Sequence, residues 1–139
     1  MDLETWLQNG WLTRFELSDR EARQHLSAAH RELQDARQDI SPQSRFALAY
    51  NAALRLCSLA LAKAGYRATR DQKHYRSVAA LPLILGTQAQ ELAAFLEACR
   101  TKRHQITYEG DDLVSEEEAI ALVDAADELR GLVQRFLDQ

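Results

Sequence analysis

The segment AQELAAFLEACRTKRHQITYE, residues 89–109, has the pattern of an amphipathic helix that ends in a cluster of basic and polar side chains. Its apolar residues recur at helical spacing and form one stripe: Leu92, Phe95, Leu96, Cys99 and Ile106. The same spacing, continued past Cys99, reaches Arg103 where an aliphatic residue is expected. A buried guanidinium is costly unless it is paired and hydrogen-bonded. Arg103 is therefore either a structural or snorkelling arginine or, with His104 and Tyr108, part of a functional cleft.

The positions of these side chains around a helix limit the kind of cleft that they can form. At about 100° per residue, Arg103 and Tyr108 lie about 140° apart, whereas Arg100 and His104 lie about 40° apart. A straight isolated helix cannot place Arg103 and Tyr108 in one compact site. Such a site requires a distorted helix end, or a cleft against another helix or another chain.

The composition of the rest of the chain favours a single helical domain over residues 1–139. Of the 139 residues, 46% are hydrophobic and 27% are charged, which suffices for a sizeable core. Only five glycines and two prolines occur, so long stretches contain no helix breaker. The commonest residue types are strong helix formers.

Helix start and stop signals divide the chain. Start signals are Ser18 and Ser115 in capping boxes, Ser41 before Pro42, Asp71, and Thr87. Pro82 interrupts the helix that follows Asp71, and Gly10 ends a short N-terminal helix. Residues 11–17 are too apolar for a free tail and are expected to pack against the main body. No useful length alternates with the strand period of two. We predict an all-α fold, an antiparallel four-helix bundle with a short extra N-terminal helix.

The run FALAYNAALRLCSLALAKAG, residues 46–65, is apolar on nearly every side. The polar residues that interrupt it are Asn51, Arg55, Ser58 and Lys63. Such a helix is either central in the fold or covered on its far side by another subunit. Because it is apolar on too many sides for packing in a lone bundle, we expect a homodimer.

Several signals bear on compartment and cofactors. Cys57 and Cys99 lie in apolar helical patterns and are expected to be buried thiols in a reducing compartment. The N-terminus lacks a basic region, and no apolar run reaches membrane-spanning length, so we expect a cytoplasmic protein without membrane contact. The four histidines are scattered, and neither a zinc motif nor a Gly-rich phosphate loop occurs. We therefore expect no metal and no cofactor.

The charges are distributed unevenly around a net charge of −4. Residues 63–76 hold five basic residues against Asp71, and residues 100–103 hold three more, whereas residues 111–139 hold nine acids against two arginines. This asymmetry indicates either a solvated surface or an anion-binding face beside an acidic helix. The candidate nucleic-acid-binding residues are Arg67, Arg70, Lys73, His74, Arg100 and Lys102.

Several segments together resemble HEPN domains, which are small helical bundles of prokaryotic toxin–antitoxin and defence systems. They are AYNAALRLCSLALAKAGYR, His74, CRTKRHQITYEG and the capped acidic helix that follows. The family motif is an arginine, a polar residue, three variable residues and a histidine. Arg103 and His104 match its first two positions, and Tyr108 stands where the final histidine belongs. The resemblance covers roughly residues 18–137.

The resemblance implies a metal-independent endoribonuclease assembled across a homodimer. In active members the arginine is thought to position phosphate while the histidine acts as general acid and base. Here the candidate catalytic residues are Arg103, His104 and Tyr108. With a pKa near 10, a tyrosine is a poor base at neutral pH. His104 is the residue that could replace the missing histidine.

Two other hypotheses remain open. In one, the domain is a non-catalytic relative that binds a nucleotide or a protein partner, such as the minimal nucleotidyltransferase that often accompanies the family. In the other, it is a helical interaction module without a site, and Arg103 forms a structural ion pair with Glu91 or with an acid on the last helix. The accessibility of Arg103 distinguishes these two.

Overall fold

The computed structural model describes residues 1–109 and 114–139, except for the side chains of Tyr108 and Glu109. The helices are α1 (Leu3–Gln8), α2 (Asp19–Ala36), α3 (Pro42–Lys63), α4 (Lys73–Ala79), α5 (Leu81–Leu85), α6 (Gln90–Glu109) and α7 (Glu116–Leu137). Two short strands, β1 (Leu12–Arg14) and β2 (Tyr66–Ala68), pair with each other, and a 3-10 turn (Thr87–Ala89) precedes α6. The chain is mostly helical, as predicted.

The helix starts that were predicted from serine caps are confirmed. Ser18 and Glu21 form a reciprocal capping box at α2, with the Glu21 backbone N–H 3.1 Å from Ser18 Oγ. Ser115 and Glu118 repeat this arrangement at α7 with a 3.1 Å hydrogen bond. Ser41 accepts the Ser44 backbone N–H at α3. Each cap satisfies backbone donors that the first turn of a helix leaves unpaired.

Two other predicted helix starts are wrong. Asp71 does not cap α4, because Gln72 stands at the N-cap in a left-handed conformation (φ 54°) and makes no side-chain cap. Thr87 opens the 3-10 turn, and α6 begins three residues later. The break expected at Pro82 is confirmed, because α4 ends at Ala79 and α5 begins at Leu81.

The small antiparallel sheet was not expected. Leu12 pairs with Ala68, and this pairing brings the N-terminal segment against the end of α3. Gly65 makes the turn after α3 with a positive φ of 104°, and its carbonyl accepts the Phe15 backbone N–H at 2.9 Å. Leu12 is 2% exposed and packs beside Leu61. Residues 11–17 were expected to pack on the main body, and β1 within this segment does so.

Helix α3 lies at the centre of the fold. Helices α2 and α7 pack along it, and α4, α5, α6 and β2 also contact it. Ten of its residues are buried: Phe46, Ala49, Tyr50, Ala52, Ala53, Leu56, Cys57, Leu59, Ala60 and Leu61. The packing of one chain therefore accounts for the apolar composition of α3, and the homodimer stays a prediction. None of the helices within residues 1–109 and 114–139 has both the length and the apolar character needed to cross a membrane.

Arg45, in the first turn of α3, joins three parts of the fold. Its Nε donates to the Ala36 carbonyl at the end of α2 at 2.7 Å, and its Nη2 donates to the Gln38 carbonyl at 2.6 Å. Its Nη1 pairs with the Glu116 carboxylate at the start of α7. The Arg45 side chain is only 12% exposed. A planar guanidinium can serve these diverging acceptors at once, whereas an ammonium cannot.

We expect Arg45→Lys to lower the free energy of unfolding by about 2 kcal/mol, because the carbonyls of Ala36 and Gln38 lose hydrogen bonds from a charged donor. Urea denaturation followed by circular dichroism measures this change. Arg31→Lys, at an exposed position of α2, is the matched control and should change stability by less than about 0.5 kcal/mol. Equal stability of the two variants would contradict a joining role for Arg45.

Candidate nucleic-acid interface

Helix α6 continues without a break from Gln90 to Glu109. On such a helix Arg103 and Tyr108 stand about 140° apart in direction and about 7.5 Å apart along the axis. The distorted helix end that would join them is therefore not formed. The side chain of Tyr108 lies outside the described residues. His104 is exposed and adjoins Arg103 in sequence.

Arg103 is partly exposed, and its Nη1 donates to Thr107 Oγ1 at 3.1 Å. In the part of the chain that the structure describes, the ion pairs of α6 join Arg100 to Glu97 and Lys102 to Glu118. The sequence left open an ion pair between Arg103 and an acid of the last helix. Within the described residues, the α6 residue that pairs with an acid of α7 is Lys102. Glu91 is about 18 Å from Arg103 along the helix axis, which is too far for an ion pair.

Arg100 is held between a carboxylate and an aromatic ring. Its Nη2 and Nε donate to Glu97 at 2.7 and 3.0 Å, and its Cζ lies 5.7 Å from the centroid of the Tyr75 ring. Tyr75 is on α4 and is 43% exposed. The packing of α4 against α6 therefore presents a ring and a guanidinium together at the surface.

Tyr50 on α3 lies beneath the same surface. Burial raises the pKa of its phenol to about 12, and the charges of Arg100 and Arg103 both act in the opposite direction. The Glu97 carboxylate acts against the two arginines, and the hydroxyl stays protonated at neutral pH. Sequence reasoning missed Tyr50, although a phenol within a largely apolar helix was an available signal.

His74 is exposed on α4, one residue before Tyr75. Partial burial lowers the pKa of its imidazole, and the positive charges of Lys73 and Arg100 lower it further. His74 is therefore mostly neutral near pH 7. An approaching phosphate would favour its protonated form, because opposite charges stabilise each other.

We name the surface formed by these residues the α4–α6 face. It consists of Tyr50, His74, Tyr75, Arg100 and Arg103. Three residues that the sequence singled out (His74, Arg100 and Arg103) belong to it. The surface needs three helices that are distant in sequence, so periodicity within one segment could not reveal it.

The other predicted basic residues lie elsewhere. Lys102 faces α7, where its Nζ is 2.8 Å from Glu118. The guanidinium of Arg67 lies over the Phe15 ring at 4.3 Å, which helps to hold the N-terminal segment. Arg70 is exposed in the connection between β2 and α4. Lys73 and Arg67, with His74, line a cavity beside α4.

Comparison of the chain with protein-family models, with curated proteins and with solved structures gives no match. The resemblance to HEPN domains is therefore carried by the sequence motifs alone. Among the described residues, no group of three or more His, Cys, Asp or Glu side chains is placed to hold a metal ion.

The electrostatics of His74 can be measured directly. We expect its imidazole to titrate below 6.5 in an NMR pH titration, and Arg100→Gln to raise that pKa because a nearby positive charge is removed. Because the pKa is lower in the folded state, His74 adds stability above about pH 6.5 that is lost as the pH falls through the folded-state pKa. Arg31→Gln, on α2, is the control. An unchanged His74 pKa in Arg100→Gln would contradict the proximity of the two groups.

Proposed function

We propose that this chain is a HEPN-like protein that binds single-stranded RNA on the α4–α6 face. The observation that carries the proposal is the exposed Tyr75 ring beneath Arg100, at 5.7 Å, with Arg103 at i+3 from Arg100 and so on the same side of α6. Proteins that bind single strands combine aromatic rings, on which bases stack, with cations that follow the phosphates. The α4–α6 face offers both within one surface.

The charges on this face suit a phosphate backbone. Glu97 orients Arg100 over the ring, whereas Arg103 hydrogen-bonds only a neutral partner, Thr107, among the residues described. Arg103 is therefore the better candidate for a direct phosphate contact. Because the net charge of the chain is −4, binding should depend on local clusters of cations and should weaken steeply with salt.

The proposal also includes an arrangement of the helices, a biological setting and a homodimer. Helices α2, α3, α6 and α7 would form the antiparallel four-helix bundle of the family, and the protein would act in toxin–antitoxin or defence systems. A homodimer would place a second copy of Arg103, His104 and Tyr108 near the first. The general base for RNA cleavage would then be His104, with Arg103 on the phosphate.

A second candidate is a non-catalytic module that binds a nucleotide or a partner nucleotidyltransferase. The unbroken α6, which keeps Arg103 and position 108 on different sides, favours this version. Tyrosine at position 108 favours it too, because a phenol is a weak base at neutral pH. The two versions differ in whether RNA is cleaved and in whether the ligand is an RNA strand, a nucleotide or a protein.

Removal of the Tyr75 ring tests RNA binding. We expect Tyr75→Ala to weaken binding of a single-stranded RNA of about 12 nucleotides by roughly 5- to 100-fold, since one stacked base contributes about 1–3 kcal/mol. Fluorescence anisotropy at fixed salt measures the affinity. Leu83→Ala is the matched control, because Leu83 is likewise 43% exposed but lies on α5. The same affinity for both variants would rule out stacking on Tyr75.

Removal of the Arg103 guanidinium tests cleavage. We expect the wild type to cleave a mixed RNA pool in EDTA, and Arg103→Ala to lose this activity while it keeps its thermal unfolding midpoint. Electrophoresis of the products measures cleavage, and Arg31→Ala is the control. Binding without cleavage by the wild type would favour the non-catalytic version. A large loss of stability in Arg103→Ala would instead indicate a structural role for this arginine.

A further inference from the structure

Helix α3 carries a polar stripe that the α4–α6 face does not use. Asn51, Arg55 and Ser58 interrupt its apolar sequence at positions i, i+4 and i+7, which share one side of a helix. All three line a cavity of about 520 Å³ between α2, α3, β2 and α4. Three of the four polar residues that interrupt the apolar run are therefore gathered along one concave surface.

Helix α2 supplies the opposite wall. Its cavity-lining residues Glu21, His25 and Glu32 stand at positions i, i+4 and i+11, which also share one side of a helix. Arg55 Nε donates to Glu32 Oε1 at 3.0 Å, and Arg55 Nη1 lies 3.4 Å from His25 Nδ1. This network holds the guanidinium at the cavity wall before any ligand arrives, which lowers the entropy cost of binding.

Strand β2 and helix α4 form the third wall with Arg67, Lys73, His74 and Ser77. Within the described residues neither Arg67 nor Lys73 is in a salt bridge. On the opposite wall Glu21 serves the α2 capping box and Glu32 pairs with Arg55. The acids of the cavity are thus already engaged, and its remaining charge is positive.

We propose that this cavity binds a small phosphorylated sugar. The phosphate would lie near Arg67 and Lys73, and the hydroxyl groups would lie between Asn51, Ser58 and the Arg55–Glu32 pair. A volume of about 520 Å³ is within the range of small-molecule sites. Amide, hydroxyl, carboxylate and imidazole groups together can both donate to and accept from hydroxyls.

The lining favours a sugar over a flat aromatic ligand. The Phe15 ring, which borders the cavity, has the Arg67 guanidinium stacked over it at 4.3 Å. The Tyr66 ring is tied by its hydroxyl, which donates to Glu4 at 2.8 Å. Neither ring is placed as freely as Tyr75 to stack on a base. The cavity shares only His74 with the α4–α6 face, since Tyr75, Arg100 and Arg103 do not line it.

Isothermal titration with ribose 5-phosphate, ribose, inorganic phosphate and adenosine monophosphate tests the proposal. We expect ribose 5-phosphate to bind, ribose not to bind, and inorganic phosphate to bind at least about tenfold more weakly, because it lacks the hydroxyl contacts. Failure of ribose 5-phosphate to bind would overturn the proposal. Adenosine monophosphate that binds about tenfold more tightly than ribose 5-phosphate would overturn the assignment to a sugar.

Variants locate the binding. Lys73→Met and Ser58→Ala should weaken ribose 5-phosphate binding by about tenfold and about threefold, because they remove a charged and a neutral hydrogen-bond donor. Lys63→Met is the matched control for Lys73→Met, because Lys63 is an exposed α3 residue that does not line the cavity. Unchanged affinity in both cavity variants would overturn the site. Arg103→Ala, which tests the RNA proposal, should leave sugar phosphate binding unaffected, so the two proposals fail separately.

Discussion

The burial of α3 is the constraint on which the rest of the structure depends. Its side chains reach every direction, and Leu56 and Cys57 at its centre have no exposed surface. Each large aliphatic side chain that it buries contributes about 2 kcal/mol, so its apolar sides cannot be left open to water without a large loss. The thiol of Cys57 is buried with these side chains. Burial raises its pKa to about 12, so the thiol stays protonated and behaves as an apolar group.

The helices that pack on α3 also determine where charged side chains reach the surface. Helix α6 begins as a packing helix, with Leu92 and Leu96 buried, and its second half carries Arg100 and Arg103 toward the surface above Tyr50. Arg103 interrupts the apolar stripe of α6, whereas Ile106, three residues later, still packs against the core. Lys102 forms an ion pair with Glu118 in the acidic first turn of α7. Arg100 and Arg103 are therefore the α6 cations of the α4–α6 face.

The sequence predicted those features that depend on interactions between residues close together in the chain. The caps at Ser18, Ser41 and Ser115 involve residues three apart, and all three are confirmed. The two strands were missed because three residues are too few to show a period of two. The α4–α6 face could be predicted only as a list of basic residues, since Tyr50 and Tyr75 reach it through tertiary packing. The apolar run of α3 is likewise interrupted by Asn51, Arg55 and Ser58. That these residues share one side of the helix was not predicted.

The pairing of β1 with β2 has a consequence for the order of folding. Thr13 and Arg67 stand opposite each other although 54 positions separate them in the chain. In an unfolded chain, closing so long a loop for a three-residue ladder is unfavourable. Once α2 and α3 have packed as neighbours, most of that loop is already ordered and the cost falls. The sheet therefore depends on the helical hairpin, and the N-terminal residues seal the end of α3 only after the core that they cover has formed.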